Sequence, residues 1–431
     1  MRLSTYLGLL LMVLLGVQEA SALDIGGTVK AENAYGYQQH QWQKQVLEVD
    51  LEVSGQLPKG NFTGIAKGFL DQQTVLNPAS TPSTYASGRA LRYDAPHGGL
   101  ELRELYWEFE TDLAYWRLGK QQVVWGEADG LKLLDVVNPQ SYREFMLDDF
   151  DESRIPLWMF NGEFSLPNDS ILQLLWIVDG TTHELAPSGS PYEFTSPLLV
   201  PQKGNSKDVR IEDPKAPSHW IRDSDFGVRL AHFWNGWDIT LNYLYHYIDE
   251  PVLRTSVEGM SPVVSSDYER SQLFGGSAST ALGDWILRAE LAYETDRYQR
   301  SVVALPGVVK TDQWGSVVGL DYQGWTDQLL SIQWFQSRVF GQESLTVKEK
   351  RENVMSLIWE HRFLNDTLTL RASNLHSLNR HDGLVRVKVS YNMVSNLDVY
   401  LGGDRFYGDN KGLFGQFDQA DRVVVGVELG F

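Results

Sequence analysis

The sequence of 431 residues contains no cysteine. The chain can therefore form neither a disulfide nor a thiolate metal site, and it has no thiol nucleophile. Basic residues are also few, because 37 Lys and Arg stand against 56 Asp and Glu, which gives a formal net charge of -19. Nucleic-acid binding needs a surplus of cationic side chains on the binding face, so we expect no nucleic-acid partner.

Long apolar runs are almost absent as well. One such run covers residues 7–17, after a positively charged start at Arg2 and before a small-residue pattern at residues 20–22. This arrangement is typical of a secretory signal peptide, and the run is shorter than the ~20 residues that a membrane-spanning helix needs. We expect residues 1–22 to be removed on export, and no transmembrane helix in residues 23–431.

What the chain does contain is repeated alternation of apolar and polar residues. In "DGLVRVKVSYN", Val385, Val387 and Val389 share one face of a strand, while Arg386 and Lys388 share the other. Such segments have the length of a tilted strand that crosses a bilayer. In a soluble sandwich the apolar faces would pack on each other, whereas in an outer-membrane barrel they contact lipid and the polar faces line the lumen.

The lengths of the connections favour the barrel. We assign eighteen strands, to residues 24–37, 43–56, 60–71, 99–110, 113–125, 157–167, 169–180, 222–234, 237–249, 267–282, 284–297, 311–323, 326–339, 351–363, 366–377, 383–392, 396–407 and 420–431. Every second connection is a short turn such as "NG", "GD" or "LND", and most others are long and polar, as in bacterial barrels with periplasmic turns and extracellular loops. Tyr and Trp near the strand ends are typical of aromatic girdles. The sequence thus predicts an all-β transmembrane antiparallel β-barrel of 16 to 18 strands, with 18 preferred.

The C-terminal segment "RVVVGVELGF" is predicted to be the last strand of this barrel. Val423, Val425, Val427, Leu429 and Phe431 lie on one face of it. The aromatic Phe431 at the end resembles the C-terminal signal by which the barrel assembly machinery recognises outer-membrane proteins. We therefore expect that machinery and outer-membrane lipid as partners. No stretch identifies a subunit interface, so monomer and homo-oligomer stay open.

One segment, Val123 to Met159, breaks the alternation. It forms most of the third long loop, the loop that folds inward and narrows the pore in general porins. Short helices are predicted over Leu131 to Val137 and from Ser141 onward. By analogy, residues 126–156 are expected to fold into the lumen as a constriction or a plug.

The same region carries a family resemblance. "LGKQQVVWGEADG", then the Asn138-Pro139 pair, then "RIPLWMFNGEFSL" resemble the domain of unknown function 1302 family, outer-membrane proteins of Gram-negative bacteria. Lys120 stands where that family usually has Arg. The resemblance implies a β-barrel in the outer membrane and does not identify the solute.

The inward loop is strongly acidic, and alternation assigns several basic residues to the inner wall. The proposed pore constriction pairs acidic Glu127, Asp129, Asp148, Asp149, Asp151 and Glu152 with basic Arg229, Arg288, Arg371, Arg386, Lys388, Arg405 and Arg422. Opposed charges across a narrow aqueous gap create a transverse field and set ion preference. Alternatively, the carboxylates pin the loop to the wall, with Arg143 and Arg154 as local partners, or bind a divalent cation such as Ca²⁺.

The resulting functional hypothesis is a porin-like channel for passive passage of small solutes, without a cofactor. A second hypothesis is a channel for hydrophobic compounds, with a pocket formed by Leu131, Leu133, Leu134, Val136, Val137, Phe145, Met146, Leu157, Trp158 and Phe160. A third is a non-conducting scaffold that docks a partner. Enzymatic activity is not expected, because the nine His follow no metal-ligand spacing, and His376 and Ser377 would point to opposite faces of a strand.

Overall fold

The computed structural model describes residues 23–76, 91–95, 97–202, 210–212, 216–259 and 261–431. The expected signal peptide, residues 1–22, lies outside the described residues. Within the described ranges, no helix is long and apolar enough to cross a bilayer.

The described chain forms one large sheet of nineteen hydrogen-bonded strands. One of them, Arg92–Ala95, pairs only with the strand that begins at Gly98 and merely extends the sheet beyond the barrel. The eighteen barrel strands of the described chain are Leu23–Gly36 (β1), Gln41–Gln56 (β2), Asn61–Asp71 (β3), Gly98–Glu110 (β4), Tyr115–Gln121 (β5), Leu157–Leu166 (β6), Ser170–Ile177 (β7), Asp225–Trp234 (β8), Trp237–Tyr247 (β9), Arg270–Leu282 (β10), Trp285–Arg300 (β11), Val308–Tyr322 (β12), Gln328–Phe340 (β13), Arg351–Phe363 (β14), Leu368–Ser377 (β15), Gly383–Val394 (β16), Leu397–Tyr407 (β17) and Arg422–Gly430 (β18).

The sheet closes on itself. Each strand pairs antiparallel with the next one along the chain, and β18 returns to pair with β1, with Gly430 opposite Thr28. Closure gives every strand a partner on both sides, so no row of backbone amides is left exposed to the hydrocarbon of a bilayer. The predicted antiparallel barrel and its preferred strand number are confirmed.

The two faces of the wall differ as the alternation predicts. In β16, Val387 and Val389 are exposed on the outside, whereas Arg386 and Lys388 line a cavity inside. In β18, the outward side chains Val423, Val425, Val427 and Leu429 are likewise exposed. Exposed apolar rows of this kind suit contact with acyl chains.

The connections divide between two rims, which we call the short-turn rim and the long-loop rim. At the short-turn rim, the β8–β9 turn uses Asn235 and Gly236 with φ of 50° and 85°, as a two-residue hairpin requires. Both ends of the barrel lie at this rim, where the backbone of Phe431 exchanges hydrogen bonds of 3.0 and 3.1 Å with Gly27. The long-loop rim carries a further hairpin, Val252–Glu258 with Ser261–Asp267.

Candidate functional site in the lumen

The inward loop, residues 122–156 between β5 and β6, packs inside the barrel. The two predicted helices are wrong, because the only α-helix among the described residues is the single turn Phe150–Ser153. Residues 131–137 are too few to nucleate a helix alone, and wall side chains bind their backbone instead. Ser141–Tyr142 forms a short parallel pairing with Glu184–Leu185 of another long loop.

Glu290 of β11 holds the first half of the loop. Its Oε1 accepts hydrogen bonds from the backbone N–H of Glu127 and, at 2.9 Å, from that of Ala128. Its Oε2 accepts a third, from the Leu134 N–H at 3.3 Å. A buried carboxylate that accepts several backbone donors is well satisfied, so this wall residue determines where the loop tip lies.

Apolar side chains of the same half sit over wall glycines. A β-carbon at Gly315 would lie 2.4 Å from Leu133 Cδ1, and one at Gly275 would lie 2.4 Å from Leu134 Cδ2. Trp125 is buried over Gly227 in the same way, and its indole N–H donates to Gln173 of β7 at 2.8 Å. Trp125 and Leu134 belong to one buried apolar cluster, and Leu133 packs against it. The other members of the cluster are Val123, Val137, Leu157, Met159, Leu175, Ile177, Leu244, Leu273 and Ala292. The loop tip is therefore packed as closely as a protein core.

The second half of the loop is fixed by an ion network. The Lys44 ammonium of β2 lies 2.7 Å from Glu144 and 2.9 Å from Glu32. Arg422 of β18 also pairs with Glu144, and it lies 2.8 Å from Asp404. Burial by itself would raise the pKa of Glu144, but the Lys44 and Arg422 cations outweigh that effect and hold it at about 2. The carboxylate is thus ionised at neutral pH and locks the loop to strands on both sides of the β1–β18 seam.

Phe145 adds an aromatic anchor next to this network. Its ring lies 4.7 Å from that of Phe417 and within about 6 Å of Phe406 and Phe414. These residues belong to β17 and to the connection between β17 and β18. The connection between β17 and β18 thus packs on the inward loop at the long-loop rim.

Between the loop and the wall remains a cavity of about 500 Å³, here called the inner cavity. Strands β1 and β14–β18 form its wall, and the loop forms the opposite side. It brings together eight of the predicted constriction residues, namely acidic Asp129, Asp148, Asp149 and Glu152 and basic Arg371, Arg386, Lys388 and Arg422. The acidic loop and the basic wall thus face the same cavity.

Most of these charges also have a partner in the protein. Glu152 lies 3.6 Å from Lys30 and 3.5 Å from Lys67. Arg386 lies 3.0 Å from Asp404 and donates to the Leu147 carbonyl at 2.7 Å. The same side chains therefore both hold the loop against the wall and line the inner cavity.

Of the basic residues that line the inner cavity, Arg371 and Lys388 have the weakest protein partners. Arg371 is half exposed and lies 3.5 Å from the Glu360 carboxylate. The Lys388 ammonium lies over the Tyr400 ring at 4.3 Å. Their cationic groups are consequently the most available to a solute in the inner cavity.

The other predicted residues lie elsewhere. Arg288 holds the loop tip, donating to the Glu127 carbonyl at 2.8 Å and to Asp129 at 3.0 Å. Arg229 belongs to the same inner wall, since it pairs in register with Gln173, whose side chain bonds the loop.

Two predicted residues do not fit the constriction. Asp151 is 89% exposed at its side chain and pairs with Arg154. The inward assignment of Arg405 is wrong: Asp404 and Phe406 on either side of it are buried and point inward, so Arg405 lies exposed on the outer face. Arg422 binds Asp404 and thereby selects which face of β17 turns inward.

Asp148 lines the inner cavity and is half-buried. Its desolvation, followed by the nearby Glu144 carboxylate, raises the pKa of Asp148 to about 7. Within the described residues, no group of three or more His, Asp or Glu side chains is placed to hold a metal ion.

A second cavity, of about 270 Å³, lies on the long-loop side of the inward loop and is here called the outer pocket. Of the predicted apolar pocket residues, Leu131, Phe145 and Met146 line it. Leu133, Leu134, Val136, Val137 and Leu157 pack in the buried cluster at the loop tip instead. Phe160 alternates to the outside, where its ring stacks on Trp176 at 5.0 Å, and Trp158 shares its face of β6. The prediction that these seven residues line an apolar pocket is therefore wrong.

Sequence reasoning missed Lys44, Glu144 and Glu290, which hold the loop. Glu290 shares the inner face of β11 with Arg288, which alternation does identify, so the same rule applied to acidic residues would have found it. Lys44 was missed because only basic residues of later strands were assigned to the wall.

A model of the family described as "Protein of unknown function (DUF1302)" matches residues 16–346. The chain belongs to this family. The resemblance carried by the "VVWGEADG" segment is thereby confirmed. None of the curated proteins matches this DUF1302 protein.

Solved structures share its fold. Acinetobacter baumannii OccAB2 has a TM-score of 0.54 at 12% identity, with 95% of this chain and 98% of that chain covered. Pseudomonas aeruginosa OpdK has a TM-score of 0.53 at 12% identity, covering 95% and 99%, and OccK2 (OpdF) in complex with glucuronate has 0.53 at 11%, covering 95% and 98%. At such low identity the likeness shows the fold alone, which is that of porin-type channels. The DUF1302 protein is a β-barrel of the bacterial outer membrane.

Proposed function

We propose that this DUF1302 protein is a porin-like channel for the passive passage of small solutes, exported by means of a signal peptide over residues 1–22. The observation that carries the proposal is the inner cavity, where acidic loop residues and basic wall residues face one space of about 500 Å³. A solute enters from the long-loop rim, passes between loop and wall, and leaves at the short-turn rim. The rate depends on the size and charge of the passage and requires no chemistry.

The distribution of charge supports selection by electrostatics. Lys388 and Arg371 on the wall are opposed by Asp149 on the loop across the cavity. Opposite charges on two sides of a narrow passage orient polar solutes, and the weakly partnered cations attract anionic groups. We infer a preference for small anions over cations.

The relatives support a small organic solute. OccK2 was solved in complex with glucuronate, and OpdK with vanillate. Both ligands are single-ring carboxylates. A solute of similar size and charge suits the inner cavity of this chain, whose volume is about 500 Å³.

Single-channel recording in planar bilayers tests the proposal. The wild-type protein should give stepwise currents, and deletion of residues 126–152 should raise the unit conductance several-fold, because the loop occupies much of the lumen. An unchanged conductance would refute the role of the loop as the constriction. Complete silence of both proteins would instead favour a scaffold that docks a partner.

A further inference from the structure

The outer pocket is a separate compartment in front of the inner cavity. Its lining is mainly apolar and includes the aromatic rings of Tyr142, Phe145, Phe150 and Phe194 with the aliphatic Leu253 and Leu413. Met146, Asp148 and Phe150 line both compartments. These three residues of the inward loop thus form a partition between an apolar space and a charged one.

The cation at the outer pocket is already satisfied by the protein. The Lys132 ammonium donates to Gln140 Oε1 at 2.5 Å, lies 3.5 Å from Asp135, and sits 4.5 Å from the centre of the Phe150 ring. Burial lowers the pKa of Lys132 to about 8, with Asp135 acting in the opposite direction. An anionic ligand would have to compete with these partners for the ammonium.

His183 and Glu250, which also line the outer pocket, provide no free cation for a ligand. His183 accepts a hydrogen bond from the Gln140 N–H at 2.9 Å, and burial lowers its pKa to about 4, so it is neutral at pH 7. Glu250 pairs with Arg297 at 2.9 Å. An anionic ligand in the outer pocket would therefore lose its hydration without gaining an unpaired cation, and the Asp148 carboxyl group, which also lines the pocket, would repel it when ionised.

We propose that the outer pocket binds an uncharged solute with a single aromatic or compact aliphatic ring before that solute reaches the partition. Burial of the ring against four aromatic side chains provides the driving force. An apolar cavity of about 150 Å³ holds a benzene molecule, so the outer pocket, at about 270 Å³, accommodates one substituted ring. This inference rests on the proposed channel function, and it adds neutral cyclic compounds to the solutes that the barrel admits.

Equilibrium binding of benzyl alcohol and benzoate to the purified barrel in detergent tests the proposal, with empty micelles as the blank. The two probes share a ring and differ in charge. Benzyl alcohol should bind saturably and about tenfold more tightly than benzoate. Equal affinity for both probes, or no saturable binding of benzyl alcohol, would overturn the proposal.

Variants locate the bound probe. Leu253→Trp fills the outer pocket and should weaken benzyl alcohol binding about tenfold, because the ring loses its apolar contacts. Leu378→Trp introduces the same side chain at an exposed position of the long-loop rim and should leave binding unchanged. Leu199→Trp, at another lining position, serves if the first variant does not fold, as judged by gel mobility without heating. Unchanged binding in a folded filled variant would contradict the proposed location.

Conductance recorded on the same preparations separates this inference from the channel function. A barrel that binds benzyl alcohol in the outer pocket but passes no current retains the site and contradicts the channel. A barrel that conducts but does not bind the probe retains the channel and contradicts the site.

Discussion

Leu133 of the inward loop fills the space directly over Gly315 of β12. A β-carbon at Gly315 would lie 2.4 Å from Leu133 Cδ1, and the next two nearest heavy atoms belong to Leu133 as well. The wall glycine is therefore matched to a single loop side chain. This relationship makes it possible to loosen the loop without straining the barrel.

Gly315→Val should displace Leu133 and weaken docking of the loop tip. Overpacking of this kind typically costs about 1–3 kcal/mol. We expect limited proteolysis within residues 126–137 to become faster and the unit conductance to rise. Both readouts can be compared with the wild-type protein in one detergent preparation.

The matched control uses the partner residue. Leu133→Ala removes the clash, so the double variant should recover part of the protection that Gly315→Val loses, which a double-mutant cycle measures. Gly403→Ala controls for substitution of a wall glycine, because the added carbon would meet nothing closer than 3.6 Å. Strictly additive effects of the two main substitutions would contradict the contact.

Glu290→Ala should release the loop tip by a different route. Three backbone N–H groups of the loop would lose their acceptor, and a buried unpaired donor costs about 1–3 kcal/mol. We expect a larger and noisier conductance in planar bilayers. Glu360→Ala removes a wall carboxylate that pairs with Arg371 and should not have this effect. A quiet, wild-type conductance in Glu290→Ala would show that Glu290 is not required to hold the tip.

Charge reversal on the inner wall should change ion preference. The double substitution Arg371→Glu and Lys388→Glu replaces the two most available cations of the inner cavity, so the ratio of anion to cation permeability should fall. Reversal potentials in a salt gradient measure this ratio. Arg405→Glu makes the same change on the outer face and should leave the ratio unaltered. An equal shift in both proteins would indicate a general surface effect rather than a pore effect.

Ion preference should also depend on pH through Asp148, which is packed among Lys44, Glu144, Glu152 and Arg422. As the pH rises through about 7, the carboxyl group loses its proton and adds a negative charge at the partition, so anion permeability should fall. The raised pKa also means that folding stability decreases as the pH rises from 3.8 to about 7, because the folded state binds this proton more tightly.

Asp148→Asn supplies the control for this titration. Reversal potentials measured from about pH 5 to about pH 9, about two units on either side of the pKa, should be flat in the variant if Asp148 is responsible. A pH dependence that survives the substitution would assign the effect to another group.

The strands were predictable because their pattern is local. The alternation of Val423, Val425 and Val427 defines β18 whatever the rest of the chain does. In the same way, the Asn235-Gly236 pair defines the β8–β9 turn by its backbone conformation. Arg405 was misplaced because the preceding Gly402-Gly403 pair carries no side chain to mark the faces. The burial of Asp404 and Phe406 and the contact of Asp404 with Arg422 show which face is inner.

The inward loop was not predictable at the level of its contacts. The Leu134 N–H is bound by a residue 156 positions away, and that of Asp129 by Gln333, 204 positions away. These bonds replace the helix that local propensity predicts. The acidic character of the loop was visible in the sequence, but its division between anchors and cavity lining was not.

The sequence by itself determined the barrel, a strand number of 16 to 18 with 18 preferred, and for most strands the sides that meet lipid and lumen, because a period of two and the chemistry of turns act between near neighbours. Only the tertiary structure decided how far the loop enters the lumen, which charges it pairs with, and that an apolar pocket lies before a charged cavity. The physical reason is that these features arise from contacts between strands brought together by closure of the sheet, and closure joins residues that are distant in the chain.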